Sequence, residues 1–162
     1  MREYQKYAIV LALFAAVLYA SLVVAVLGVG SLLTNADVIP DPQAGPLVGP
    51  SSVGVIVVFV LVRMVLIGIR TRPENQRVML AYSIVTGVVT WVLFLAAGAT
   101  FVLFGTGDIR SATALASEML LAPFATLAGL FAFLVSLLYS WLLAAHVGSG
   151  GRPLWPWERR GE

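Results

Sequence analysis

Long apolar runs separated by short polar stretches divide the chain along its whole length. No charged residue lies between Tyr7 and Leu33, and further apolar runs follow, the last of them from 112 to 147. About 20 helical residues cross a hydrocarbon core of about 30 Å. The last run is too long for one straight crossing, and Pro123 divides it. The pattern therefore predicts four transmembrane helices, over residues 7–33, 52–69, 78–104 and 123–145.

The segments between and after these runs have compositions that disfavour membrane crossing. Residues 34–51 contain four prolines and no basic residue, which is typical of an extended or turn-like linker. Residues 111–121 precede Pro123 and are expected to form an outer interfacial helix. Trp155 and Trp157, beside arginines in a tail over 148–162, are expected to be interfacial anchors. We therefore expect a transmembrane domain over 1–147 and a cytoplasmic interfacial tail over 148–162.

Composition narrows the class further. The chain is 60% hydrophobic and 11% charged, with mean hydropathy +0.96, whereas soluble domains are about half apolar and a quarter charged. Valine- and isoleucine-rich runs would suggest strands in water, but in lipid the backbone must satisfy its own hydrogen bonds, which favours helices. The expected fold is an all-α, polytopic four-transmembrane-helix bundle. A signal peptide is the alternative for the first run, which is much longer than the usual apolar core of about 7–15 residues.

The basic residues predict the orientation of the bundle. Eight of them fall in the N-terminus, the loop over 71–77 with its flanking Arg70, and the tail, whereas the two opposite loops contain only Arg110. Short loops rich in lysine and arginine stay in the cytoplasm. Both termini are therefore expected to be cytoplasmic in a bacterial plasma membrane. Because the cations cluster at membrane edges, the net charge of +2 does not indicate nucleic-acid binding.

Small residues recur at four-residue steps on two of the predicted helices. Helix packing in lipid depends on such residues because burying leucine there gives no net gain. We expect these ladders to pack helices together, within the bundle or in a homo-oligomer or larger membrane complex. The ladder positions are Ala12, Ala16 and Ala20 on the first helix, and Ala128, Ala132, Ser136 and Ser140 on the fourth.

The hydroxyl side chains of the third predicted helix have a simple expected role. Ser83, Thr86, Thr90 and Thr100 can donate to backbone carbonyls one turn earlier, which lowers the cost of placing them in lipid.

Two ionisable residues fall within or close to the predicted membrane interior, where such groups are functional candidates. Arg63 lies seven residues before Arg70, about 10 Å by helix rise, and can extend its long side chain to the cytoplasmic edge. Glu118 lies at the headgroups if the outer helix is flat, and enters the outer leaflet if that helix continues straight into Pro123. In that second case Arg63 and Glu118 form a candidate polar site, with Arg110 as another partner for the glutamate.

The sequence contains no pattern that indicates an enzyme. It lacks a Ser–His–acid set and a phosphate-binding glycine loop. Absence of cysteine excludes disulfides and thiolate metal sites, and one histidine without partners does not indicate a metal site. We therefore expect no catalytic residues, no metal and no cofactor.

Two motifs give the chain a family resemblance. Met-Arg-Glu-Tyr-Gln-Lys-Tyr precedes the first helix, and Arg-Thr-Arg-Pro-Glu-Asn-Gln-Arg precedes the third. In this overall make-up the chain resembles uncharacterised small four-span membrane proteins of actinobacteria. Four short spans are also similar to small multidrug resistance exporters, but those use a glutamate in the first span, and residues 7–33 contain no acid. The leading hypothesis is a scaffold or accessory subunit acting through helix contacts, and the alternative is a transporter or channel subunit using Arg63 and Glu118.

Overall fold

The computed structural model describes residues 2–34, 47–71 and 78–147, and five helices account for 94% of them. In the described residues there is no β-strand. The predicted all-α fold is confirmed, and four of the helices are long and apolar enough to cross a membrane. The tail with Trp155 and Trp157 lies outside the described residues. The helices are α1 (Arg2–Thr34), α2 (Val48–Arg70), α3 (Leu80–Thr106), α4 (Ile109–Leu121) and α5 (Pro123–Val147).

The helix α1 begins at Arg2, five residues before its predicted start, and the second early start is that of α2. This helix begins at Val48, four residues before the predicted start, and includes Pro50 in its first turn. Proline is compatible with that position because the first-turn amides have no partner within the helix. Residues 48–51, at the end of the predicted linker, are therefore helical although the linker contains four prolines.

A tight turn separates α3 from α4. Gly107 ends α3 with φ 69°, a left-handed conformation that favours glycine, and its N–H donates to the carbonyl of Leu103 at 2.8 Å. Asp108 then caps α4, because its carboxylate accepts hydrogen bonds from the backbone N–H groups of Arg110 and Ser111. These hydrogen bonds hold the pKa of Asp108 below its usual value, with the Arg110 amide the largest cause.

α4 runs back along α3. A Cβ built on Gly98 would lie 2.9 Å from the Sδ atom of Met119, so the end of α4 lies beside the point two turns before the end of α3. The face of α4 that packs inward carries Ala112, Leu115 and Met119. α5 begins at Pro123, and a single residue separates it from the end of α4. The long apolar run is therefore divided into two helices beside Pro123, as predicted.

The four apolar helices form a bundle in which α5 packs against both α1 and α3, and α2 packs against the same two helices. The core contains large aromatic side chains, among them Tyr19, Phe94 and Tyr139, each 0% exposed. The predicted hydroxyl contacts are confirmed: Ser83, Thr86, Thr90 and Thr100 each donate to the carbonyl four residues earlier.

Candidate functional site

Two tyrosines bind α1 and α5 together in a reciprocal arrangement. The Oη atom of Tyr19 donates to the carbonyl of Ala128 at 3.2 Å, and that of Tyr139 donates to the carbonyl of Ala8 at 3.1 Å. In each helix the tyrosine and the acceptor are 11 residues apart, about three turns, so they lie on one face. The two antiparallel helices are therefore held at two levels of the bundle by buried interhelical hydrogen bonds.

The helices α3 and α5 cross closely at two glycines, one on each helix. A Cβ on Gly87 would lie 2.9 Å from the carbonyl oxygen of Gly129 and 2.9 Å from the Cβ of Phe133. A Cβ on Gly129 would lie 2.9 Å from the carbonyl oxygen of Gly87 and 2.9 Å from the Cβ of Trp91. Real carbon atoms pack at about 3.5–4.0 Å, so the two backbones approach more closely than any side chain would allow.

The structure places most of the predicted ladder positions in the interior. Ala12 and Ala16 are buried and Ala20 is half-buried, whereas Ala128, Ala132, Ser136 and Ser140 are all buried. Ala128 and Ala8, one step before Ala12, provide the carbonyls that accept the tyrosine hydrogen bonds. The ladders thus lie at contacts inside the bundle.

An apolar groove runs along the outer side of the glycine crossing, with a volume of about 460 Å³. On both helices the lining residues follow the spacing i, i+3, i+4, i+7, so the groove extends along two turns of each. It is lined by Ile84, Gly87, Val88 and Trp91 of α3 and by Thr126, Gly129, Leu130 and Phe133 of α5. Gly87 and Gly129 leave space in the groove because they have no side chains, and Trp91 and Phe133 are its aromatic lining residues.

Arg63 is half-buried on α2 and is held by one tyrosine of α3. Its guanidinium carbon lies 4.0 Å from the centroid of the Tyr82 ring, and the Oη atom of Tyr82 donates to the Arg63 carbonyl at 3.1 Å. The Nε atom of Arg63 is buried and has no hydrogen-bond partner. The ring thus covers one face of the cation, while at least one of its in-plane donors lacks an acceptor.

Glu118 occupies an exposed position of α4, and the structure does not bring it to Arg63. Its neighbour Met119 packs at the level of Gly98, whereas Arg63 contacts Tyr82. Those two levels of α3 are 16 residues apart, about 24 Å by helix rise. A direct Arg63–Glu118 ion pair therefore does not fit this arrangement.

The ends of α1 and α5 that lie nearest the predicted cytoplasmic side carry a further aromatic contact. The rings of Tyr7 and His146 stack with their centroids 3.9 Å apart and their planes at 14°. In the described segments, no group of three or more His, Cys, Asp or Glu side chains could hold a metal ion.

Sequence reasoning did not identify Tyr19, Tyr82 and Tyr139 as organising residues. A single tyrosine within an apolar run gives no signal of the carbonyl to which it donates, since each acceptor lies on another helix. Gly87 is a small residue in an apolar run, a pattern that favours close approach of a second helix but does not indicate which one.

These features together define a small multi-pass membrane protein, with four apolar helices that pack through glycines, alanines and buried tyrosines. The chain belongs to a family of unknown function, DUF6121, whose model matches residues 1–162. Neither curated proteins nor solved structures gave a match. Family membership agrees with the expected resemblance to uncharacterised proteins, while the actinobacterial origin stays a prediction.

Proposed function

We propose that the chain is a scaffold or accessory subunit that acts through helix contacts with a partner membrane protein. The described interior supports this because its serine and threonine hydroxyls are hydrogen-bonded internally. Among the described residues, every buried serine and threonine hydroxyl donates to a backbone carbonyl three or four residues earlier, which leaves no chain of free hydroxyls along which a solute would move. The buried hydroxyls belong to Ser52, Ser83, Thr86, Thr90, Ser136 and Ser140.

The observation that carries the proposal is the groove between α3 and α5. We expect one transmembrane helix of the partner to lie in it, because the lining repeats at helical spacing along two parallel edges. Gly87 and Gly129 let an apolar ridge approach the bundle closely, which is how helices associate in lipid. The side chains of Trp91 and Phe133, which line the groove, would then contact the partner helix.

Photocrosslinking tests this contact directly. A photoreactive residue at Val88, in the groove, should give one discrete adduct in cells, and the same residue at Val17, exposed on α1, should not. Mass spectrometry should identify the adduct as a transmembrane segment of one protein, and that protein should co-purify with the wild-type chain. Thr126→Trp, which fills the groove, should remove the adduct, whereas Thr100→Trp on another exposed face should preserve it.

The outcomes separate the possible occupants. An adduct containing a second copy of the chain would show that the partner is the chain itself, in a homo-oligomer. Differently tagged copies of the chain should then co-purify. Adducts with lipid alone, or equal adducts at Val88 and Val17, would contradict a helix-binding groove.

A transporter or channel subunit remains the second candidate because Arg63 has an Nε atom without a partner. This function would require that the purified chain carries solute flux in proteoliposomes and that Arg63→Ala and Glu118→Ala each abolish the flux. The separation of about 24 Å along the helix axis weighs against a direct pair, so the two substitutions should show no coupling.

We propose no enzymatic activity for the chain. The charge distribution favours a bacterial plasma membrane with both termini in the cytoplasm.

A further inference from the structure

We propose that Arg63 and Arg70 of α2, with Tyr82 of α3, form a binding site for a phosphate group, supplied by a phospholipid headgroup of the leaflet next to Arg70. The site is independent of the α3–α5 groove, because it lies where α2 meets the beginning of α3. It therefore remains testable whether or not a partner helix binds elsewhere.

The first step is the unmet hydrogen-bonding capacity of Arg63. An arginine side chain has five N–H donors and keeps its positive charge in proteins. The Tyr82 ring, 4.0 Å from the guanidinium carbon, covers one face of that group, but a ring face accepts none of the in-plane donors. The Nε atom is buried and unpartnered, so at least one N–H donor of this cation lacks an acceptor.

The second step is the absence of a described acid near this cation. Asp108 and Glu118 are the only acidic residues whose side chains the structure describes. Asp108 follows the far end of α3, 26 residues after Tyr82, or about 39 Å by helix rise. Glu118 lies near the level of Gly98, about 24 Å away on the same scale. Neither carboxylate can therefore neutralise Arg63.

The third step is the position of Arg63 relative to the membrane edge. Arg70 is the last residue of α2 and is exposed, and the seven-residue spacing places both arginines on one side of the helix about 10 Å apart. A phosphate near that edge lies within reach of the long Arg63 side chain. The guanidinium fork suits bidentate binding of phosphate oxygens.

The surroundings of the site favour a lipid as the source of the phosphate. Val62, Leu66 and Ile69 of α2 and Val85 of α3 are apolar and exposed, so acyl chains can lie against the same helices that hold the cations. A free phosphate ion would gain nothing from these surfaces. Tyr82 additionally fixes the α2 backbone at Arg63 through its hydrogen bond to the Arg63 carbonyl, which holds the cation in place before the ligand binds.

The test measures binding to the purified full chain in dodecylmaltoside by native mass spectrometry and by thermal shift. Three probes are compared: dioctanoyl-phosphatidylglycerol, dioctanoyl-phosphatidylcholine and inorganic phosphate. The wild-type chain should bind phosphatidylglycerol most tightly, because its net negative charge complements two arginines. Arg63→Gln should weaken that binding about tenfold, and Arg110→Gln, at the other end of α3, should leave it unchanged.

Arg63→Lys and Tyr82→Phe keep the test valid if Arg63→Gln does not fold. Lysine retains the charge without the fork, so Arg63→Lys should weaken phosphatidylglycerol binding several-fold. Tyr82→Phe retains the ring but loses the hydrogen bond to the Arg63 carbonyl, and a smaller loss is expected. Unchanged phosphatidylglycerol binding in folded Arg63→Gln or Arg63→Lys would overturn the site. Equal binding of inorganic phosphate, lost in the same variants, would overturn the lipid source.

Discussion

The crossing of α3 and α5 makes a sharp prediction about two glycines. We expect Gly87→Ala and Gly129→Ala to destabilise the bundle, because each new Cβ would lie 2.9 Å from a backbone carbonyl oxygen of the other helix. A backbone atom cannot rotate away as a side-chain end can. Relief therefore requires α3 and α5 to move apart, which loosens their packing over several turns.

The size of the effect follows from two opposing terms. Replacing glycine by alanine within a helix stabilises it by about 0.5–1 kcal/mol, whereas overpacking costs about 1–3 kcal/mol. Gly54→Ala on α2 isolates the first term, because no atom lies within 4 Å of its new Cβ. The crossing variants should thus be about 1–3 kcal/mol less stable than Gly54→Ala, or about 5- to 150-fold in the unfolding equilibrium.

Reversible unfolding in mixed micelles of dodecylmaltoside and sodium dodecyl sulfate, followed by circular dichroism at 222 nm, measures this difference. Gly87→Ala combined with Gly129→Ala should cost less than the sum of the two single variants, since helices already separated by one Cβ accommodate the second more easily. If both single variants unfold at the same detergent fraction as Gly54→Ala, the close crossing is not a feature of the folded protein.

Three further predictions follow from the packing and the helix cap. Gly98→Ala should cost less than Gly87→Ala in the same titration, because its new Cβ meets the flexible end of Met119, and an equal cost would refute this. Tyr19→Phe and Tyr139→Phe should each lose about 0.6 kcal/mol, the average for interhelical hydrogen bonds in lipid, and wild-type stability in both would contradict it. The start of α4 should be protected in amide exchange above the usual pKa of aspartate and lose that protection as pH falls through the lowered pKa of Asp108. Asp108→Asn, which keeps an acceptor but cannot titrate, should remove this pH dependence, and a persistent transition would exclude Asp108 as its source.

The sequence predicted the number and approximate position of the apolar helices because lipid imposes two strong constraints, run length and internal backbone hydrogen bonding. It also predicted the break at Pro123 and the hydroxyl contacts of α3, since both depend on local chain geometry. The helix α2 begins four residues before the predicted span, because proline is as compatible with a first helical turn as with a linker.

The candidate site was harder to predict from the sequence because its contacts join residues that are far apart in the chain. Arg63 was recognisable from its charge in an apolar run, but its partner Tyr82 was not, and the sequence offered Glu118 as the candidate partner within the membrane. The reason is physical: an arginine in lipid suggests an acid, whereas an aromatic ring and a lipid phosphate can serve the same cation. The ladders were visible as a pattern, but their acceptor roles for Tyr19 and Tyr139 were not.

The central claim is that four helices cross the membrane, so that the turn after α3 and the tail lie on opposite sides. Because the chain has no cysteine, single cysteines can report this with a membrane-impermeant maleimide. Gly105 is exposed, with no atom within 4 Å of an added Cβ, and Gly161 belongs to the tail. Gly105→Cys should react in intact cells, and Gly161→Cys only after permeabilisation. Labelling of both in intact cells, or of Gly161→Cys alone, would contradict the arrangement.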